Sequence, residues 1–394
     1  MEVNLLKLNP KEILEKVKTE GFDQVWNKSS DLMQNEGGRL ELSGRGAAHP
    51  IQDLIQRMRQ SFLNLGFDEV TTPIIVEEGE IFKQYGPEAS VILDRCYYLA
   101  AIPRPDIGLS NEKCEKIREL GVTLDSVRVG KLQGVLRNYK KGKIDSDDFV
   151  ERIGEALKIT DDKAIRVLSE VFPEFKDLKA ISSTLTLRSH LTSSWFETLN
   201  ALNHKRSLPL KLFSVGVRFR REQSEDATHL RTHNGASCVV MDKAITIDDG
   251  KRIAEAFFRD FSLNELKFIK KKTTSKYYLP QTELEVFTCL PNTRLWVEIA
   301  DLGLYSPIAL AHYNIEYPVL NLGVGVERTG MILFNEVDIR KLVYPQFYAE
   351  WNLSDEQLVN MIRISVEPKT VFGLGIRDAI VKTAIKEAEE NSPC

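Results

Sequence analysis

From Pro50 onward the apolar residues Ile51, Leu54, Ile55, Met58, Phe62 and Leu65 recur at the spacing of one helical face, and Gly66 supplies a stop. An amphipathic helix is predicted there. The next stretch, FDEVTTPIIVEE, is rich in β-branched residues but carries Pro73, which suits a strand at an edge or contact surface and not a central one. Upstream, residues 1–48 predict a helix near Pro10 to Thr19, further helical sequence and a glycine-bearing connector, GGRLELSGRGAAHP. This is expected to be an N-terminal helical extension.

Between about residues 105 and 180 the pattern turns charged and helical, as in NEKCEKIRELG, DDFVERIGEALK and DDKAIRVLSEVF, with turn residues between the segments. A helical insertion is predicted. Strand-like pieces then alternate with turns: SSTLTLRSHLTS, LPLKLFSVGVRFRRE, NGASCVVMDKAI, KYYLPQTELEVFTCL, RLWVEIADLG and PVLNLGVGVE. A helix, DDGKRIAEAFFRDFSL, lies among them. Neighbouring strands with few crossover helices predict an α+β fold, a large antiparallel sheet flanked by helices, over residues 49–350. Residues 351–394 read as a linker or the start of a C-terminal region.

Composition narrows the class. Of 394 residues, 42% are hydrophobic and 28% charged, as in ordinary globular proteins. No apolar run reaches the length that spans a membrane, and the N-terminus MEVNLLKLNPKEILEKVK lacks a secretory core, so a cytoplasmic location is expected. The cysteines Cys96, Cys114, Cys238, Cys289 and Cys394 form no CxxC pair, which argues against a zinc knuckle or a disulfide framework. A net charge of -4 does not announce a polyanion binder. Any such contact falls to two local clusters: Arg128, Lys131, Arg137, Lys140, Lys141 and Lys143, then Lys267, Lys270, Lys271, Lys272 and Lys276. Taken alone, such runs are more often a solvated face.

Three segments carry candidate chemistry. In VGVRFRRE, alternation puts Arg218, Arg220 and Glu222 on one face of a strand, two phosphate-binding forks and an acid, or else a solvated ion pair. In RLWVEIADLGLYSP, Trp296, Glu298 and Ala300 alternate together; a carboxylate in that apolar strand needs an ion-pair partner or a cation such as magnesium. In NLGVGVERTGMILF, a strand through Val319 to Val326 runs into a helix near Arg328, whose charge would add to the positive helix end. By itself that pattern is more often a tight strand-to-helix turn.

In this order, behind the Pro50 helix and the Pro73 strand, these segments resemble the three signature motifs of class II aminoacyl-tRNA synthetases. RFRREQSEDATHL and LWVEIADLGLYSP are similar to the phenylalanyl branch. FDEVTTPIIVEEGEIFKQYGPEA, DRCYYLAAIPRPDIGLS, TLRSHLTSSW, SKYYLP and GVGVERTGMILFNEVDIRKLVYPQFY resemble its O-phosphoserine-charging members, over most of residues 45 to 350. The resemblance implies ligation of O-phosphoserine to tRNA(Cys) through an adenylate, with ATP and Mg2+, by a homotetramer. It implies Arg220 on the α-phosphate, Arg328 on the γ-phosphate, Glu222 orienting the nucleotide or the amino acid, and Glu298 on magnesium or ribose. For the amino acid it implies His190, Leu191, Thr192, Gly235, Ala236, Ser237, Tyr277, Tyr278 and Asn321. The family pattern expects Ser-x-Ser where this chain has Gly235, Ala236 and Ser237, and a longer anticodon-reading region than residues 351–394, which therefore read as truncated. A synthetase for another amino acid such as phenylalanine, and a non-catalytic paralogue that binds tRNA or ligand, are the competing expectations.

Overall fold

The computed structural model describes residues 8–33, 48–175, 178–290, 295–350, 355, 368 and 370–386. Most of the glycine-bearing connector and much of 351–394 lie outside the described residues. The chain divides into two units, Met1–His49 and Pro50–Cys394. In the first, Asn9 caps a helix over Pro10–Glu20 by accepting a hydrogen bond from the Glu12 amide, and a second helix spans Phe22–Asn27.

Ten strands are described in the second unit: Asp68–Glu69 (β1), Ile75–Glu77 (β2), Tyr98–Ala101 (β3), Ile181–Leu187 (β4), Leu210–Phe219 (β5), Thr232–Met241 (β6), Leu266–Lys270 (β7), Leu284–Cys289 (β8), Trp296–Leu304 (β9) and Val319–Gly325 (β10). Seven form one sheet in the order β1-β5-β6-β10-β9-β8-β7, antiparallel except for β1 against β5. The expected α+β architecture is present. The stretch around Pro73 is not one strand: β1 joins the large sheet, and β2 joins a small sheet of order β2-β4-β3. Pro73, which has no amide hydrogen to give a ladder, stands in the switch between them. β7, in the second lysine cluster, was not predicted; its lysines hid the alternation of Leu266 and Phe268.

One face of the large sheet is covered by the helices Pro50–Asn64 and Ile247–Arg259. Their apolar stripes meet where Phe62 stacks on Phe213, centroids 5.1 Å apart, and lies tilted against Phe257 at 4.4 Å. Thr246 and Asp249 form a capping box that fixes the start of the second helix. The opposite face is filled over one half by Trp195, Phe196, Tyr277, Tyr278 and Tyr305. The other half is left open. Residues of the predicted insertion form the helices Asn111–Glu119, Ser126–Lys140, Phe149–Leu157 and Asp161–Val171, around a core of their own that includes Ile117, Leu132, Ile153 and Val167.

A bulge in β9 decides what the open half presents. Phe287 of β8 pairs with Glu298, yet its neighbour Val286 pairs with Ala300, so Ile299 is an extra residue. Beyond it the alternation reverses. Ile299 and Ala300 both join the core beneath the sheet, and Asp301 comes to the face that Glu298 occupies. The predicted grouping of Trp296, Glu298 and Ala300 is corrected accordingly: Ala300 leaves it and Asp301 enters. Further along β9, Gly303 lets the Tyr278 ring lie flat on the strand. An added Cβ there would stand 2.8 Å from the ring. Because Tyr278 is 1% exposed and cannot retreat, Gly303→Ala is expected to destabilise the protein by about 1–3 kcal/mol, read as a lowered urea midpoint with an unchanged slope.

Candidate active site

The floor of the open half is a row of glycines in register: Gly216 on β5 pairs with Gly235 on β6, which pairs with Gly325 on β10. Without Cβ atoms, side chains can lie across the strands. An added Cβ at Gly216 would stand 2.4 Å from Arg188 Nη2, and one at Gly235 would stand 3.2 Å from Leu191 Cδ1. Among the described residues, Arg188 has no carboxylate partner. Its guanidinium donates to the carbonyls of Val217, Thr72 and Pro73 and to the Thr72 hydroxyl. It thereby ties the Pro73 switch to β5. Ser194 reinforces the tie through its hydroxyl to the Pro73 carbonyl.

Above this floor a cavity of about 300 Å³ gathers Arg218, Arg220, Arg328, Arg95 and Lys271 with Glu222, Glu298, Asp301 and Glu327. The strand expected to carry Arg218, Arg220 and Glu222 stops at Phe219, but all three still line the cavity. Arg221 turns away to pair with Asp94 at 2.5 Å. Burial first, then the repulsion of Arg220, pushes Arg218 down to about 10. Arg220 is lowered by burial and then by Arg328. The Arg218 Nε is buried without a partner. The inner guanidiniums of Arg218 and Arg220, one with an unpartnered Nε, offer forks to a polyanion. His190 and His233 are held neutral at pH 7 by the same surroundings: burial and then the arginines lower both, His233 to about 3.

Arg328 sits in the first turn of the helix Val326–Leu333, two residues into an element that begins earlier than predicted. Its guanidinium reaches back to Glu298 at 3.0 Å. Both readings of Glu298, ion pair and cation ligand, thus remain compatible with its position. In the same turn Glu327 is 2% exposed and accepts from the Asn234 backbone amide at 2.6 Å and its side-chain amide at 2.8 Å.

A smaller recess opens beside the cavity and is lined by His190, Leu191, Thr192, Gly235, Ala236, Ser237 and Tyr277, together with Arg218, Arg220 and Asp301. Tyr278 and Asn321 do not line it. They form the layer behind, where the Asn321 amide nitrogen donates to the Cys238 carbonyl and to Ser237 Oγ, and its oxygen accepts from the Tyr278 hydroxyl at 2.7 Å. Trp195 Nε1 also donates to Ser237 Oγ, at 3.0 Å. With both acceptor positions of Ser237 filled, its hydroxyl hydrogen is left to donate into the recess. The Tyr278 hydroxyl stands 3.1 Å from Asp301 as well, so its one hydrogen is shared between Asp301 and Asn321.

Sequence reasoning did not select Arg95, Asp301, Glu327, His233 or Glu283 for the site, and it placed Lys271 only in a surface cluster. Lys271 instead pairs at 2.8 Å with Glu283, which is 1% exposed and which Ser275 also holds by its amide and hydroxyl. Asp301 could not be found by alternation, because the bulge reverses it. Glu327 carried a signal, a carboxylate beside Arg328 in an apolar strand-to-helix junction.

Residues 106–351 match the family described as tRNA synthetases class II core domain (F). The chain is 45% identical to the O-phosphoserine--tRNA(Cys) ligase of Methanocaldococcus jannaschii, over 99% of this chain and 72% of the relative. It is 46% identical to the enzyme of the same name from Archaeoglobus fulgidus, over 99% of this chain and 74% of that one. Among solved structures, a pyrrolysyl-tRNA synthetase from Desulfitobacterium hafniense aligns with 88% of this chain and 87% of its own at a TM-score of 0.47 and 13% identity.

Asp301 gives the site a pH signature. Burial first, then Glu283, raises its carboxyl from 3.8 to about 6. A raised carboxyl favours the protonated folded state, so stability is lost as pH climbs from about 4 to about 6 and the loss is complete above that. Asp301→Asn removes the buried charge. Its thermal midpoint without nucleotide is expected to exceed that of the parent at pH 7.5 and to converge with it near pH 4.

Proposed function

Because the chain belongs to the class II aminoacyl-tRNA synthetases, we propose that its cavity and recess activate O-phosphoserine with ATP and pass it to tRNA(Cys). The observation that carries this reading is the pairing of a polyarginine cavity with a recess where Ser237 holds a hydroxyl hydrogen ready for an acceptor. The first suits a triphosphate. The second suits the small phosphate of the amino acid, aided by Thr192, neutral His190 and the edge of Arg218.

The reaction needs positioning and charge stabilisation more than a covalent nucleophile. Arg220, the inner guanidinium, takes the α-phosphate of ATP, and Arg328, at the mouth, takes the γ-phosphate after leaving Glu298. Glu222 orients the nucleotide or the incoming amino acid. A carboxylate oxygen of O-phosphoserine attacks the α-phosphorus, the bond to the bridging oxygen breaks, and pyrophosphate departs between Arg328 and the helix N-terminus. The adenylate is then consumed by tRNA, which takes the aminoacyl group and releases AMP. Glu298 and Asp301, which the bulge brings to the same face of β9 and which both line the cavity, would offer hard carboxylate oxygens to Mg2+, with phosphate oxygens and water completing its shell. Bound there, the ion supplies charge neutralisation on the phosphates.

Phenylalanine fits the recess less well. A benzyl side chain would strand the Ser237 hydroxyl and the unpartnered Arg218 Nε in an apolar contact, at a cost of about 1–3 kcal/mol each. Gly235 removes one expected hydroxyl but leaves its backbone amide and added room beside Leu191. A non-catalytic module would have no use for Arg220, Glu222, Glu298 and Arg328 in one cavity. Self-association as a homotetramer is part of this proposal, supported by exposed Ile75, Tyr98 and Ile181 on the small sheet. A cytoplasmic setting is proposed as well; no described helix is long and apolar enough to cross a membrane.

The test is amino-acid-dependent exchange of pyrophosphate into ATP, run with O-phosphoserine, phenylalanine, serine and cysteine in parallel. Exchange with O-phosphoserine alone is expected; exchange with another amino acid in its place overturns the substrate. Arg220→Ala should slow exchange by about 100- to 1,000-fold. Ser237→Ala should raise the KM for O-phosphoserine by about tenfold, the loss of one hydrogen bond to a charged group, while the KM for ATP stays put.

A further inference from the structure

The helix Ser126–Lys140 bears no relation to the cavity residues, and its charge is not balanced. Between Asp125 and Asp145 the chain holds no acidic residue and six cations, Arg128, Lys131, Arg137, Lys140, Lys141 and Lys143. Arg128 stands 3.9 Å from Asp125, and Lys140 donates to the Arg104 carbonyl at 3.1 Å. Among the described residues, Lys131, Arg137, Lys141 and Lys143 have no ion-pair partner. The other helices of the insertion behave differently. There Lys116 pairs with Glu112 at 2.8 Å, Arg118 with Glu115 at 2.6 Å, Arg152 with Glu155 at 2.9 Å and Arg166 with Glu170 at 3.0 Å.

The unbalanced cations are also arranged. Leu132 and Leu136 face the core of the insertion. On the opposite side Gly130, Gly134, Arg137 and Lys141 follow one another at helical spacings of four, three and four. Lys131 and Lys140 flank them. Nothing lies within 4 Å of a Cβ added at Gly130 or Gly134, so folding does not demand glycine at either position. Each costs about 1 kcal/mol of helix stability relative to alanine. The outcome is a flat stretch of backbone edged by Lys140 and three cations without an ion-pair partner among the described residues, Lys131, Arg137 and Lys141, with no acidic residue of its own helix.

We propose that this face of the Ser126–Lys140 helix is a docking surface for the phosphodiester backbone of the tRNA substrate. The inference rests on the synthetase reading and extends it to a surface apart from the cavity. Charge complementarity selects the partner: a net charge of -4 means that general attraction of a polyanion is absent, so a local acid-free face must supply it. The glycines let the strand come close to the helix, and the cations meet its phosphates singly.

The experiment uses the full chain with Lys131, Arg137 and Lys141 changed together to alanine. Binding of tRNA(Cys) is measured across a salt series and pyrophosphate exchange with O-phosphoserine is measured without tRNA. Exchange is expected to be unchanged. Affinity for tRNA should fall by about 10- to 100-fold at moderate salt, and the logarithmic salt dependence should become shallower by about two to three units. A second variant, Gly134→Glu, places a carboxylate in open space on the same line and should weaken tRNA binding to a similar degree without altering exchange. An unchanged affinity and salt slope in both variants overturns the proposal. So does a loss confined to phosphatidylserine vesicles with tRNA binding intact. Failure of the underlying reading shows separately, as absence of O-phosphoserine exchange in the parent protein.

Discussion

Arg218 and Arg220 are buried side by side, each is repelled by Arg328 at the mouth of the cavity, and the surrounding fold is arranged to hold them there. The core of helices beneath the sheet keeps β5 and β10 rigid, and the glycine row gives the Arg188 and Arg218 side chains a flat path over the strands. The histidines nearby are held neutral first by burial and then by the arginines. Such an arrangement is unfavourable for the empty protein and favourable once a polyanion arrives. That is the stability–function trade expected where a site is organised in advance of its ligand.

The acidic groups are set out by the same logic, with unequal burial. Glu327 and Glu283 are sunk among hydrogen-bond donors and act on their neighbours through position. Glu298 and Asp301 look into the cavity. One bulged residue, Ile299, is what allows two carboxylates three positions apart to share a face of one strand. The layer of Tyr278, Asn321 and Trp195 behind Ser237 then sets the direction of a hydroxyl hydrogen with no mobile part involved.

Much of this was legible in the residues. The Pro50 helix, the six strand-like segments and the three motif segments carry local patterns that tertiary packing did not override, and the recess gathers His190 to Thr192 with Gly235 to Ser237 as the resemblance implied. The rest was hidden for identifiable reasons. Alternation cannot foresee an inserted residue, so Asp301 was missed and Ala300 was placed on the wrong face. Pro73 marked an interruption but not the transfer of the chain from one sheet to another. Tyr278 and Asn321, which the resemblance implied as substrate contacts, stand behind Ser237 and Asp301 and are joined to them by hydrogen bonds. Lys271 was concealed by its lysine neighbours, since only the buried Glu283 distinguishes it.

The contact between Glu298 and Arg328 has a consequence for how the cavity fills. Without nucleotide, the outermost guanidinium is already occupied by a carboxylate of the protein, which acts as an internal competitor. A bare triphosphate that displaced it would win Arg328 but leave a naked Glu298 facing its own oxygens. On the proposed reading, a triphosphate arriving together with a divalent ion would exchange one salt bridge for two, Arg328 to phosphate and Glu298 to metal. The resting ion pair would then favour the metal–nucleotide complex slightly over either half alone, since an exposed pair of this kind is worth about 0–1 kcal/mol.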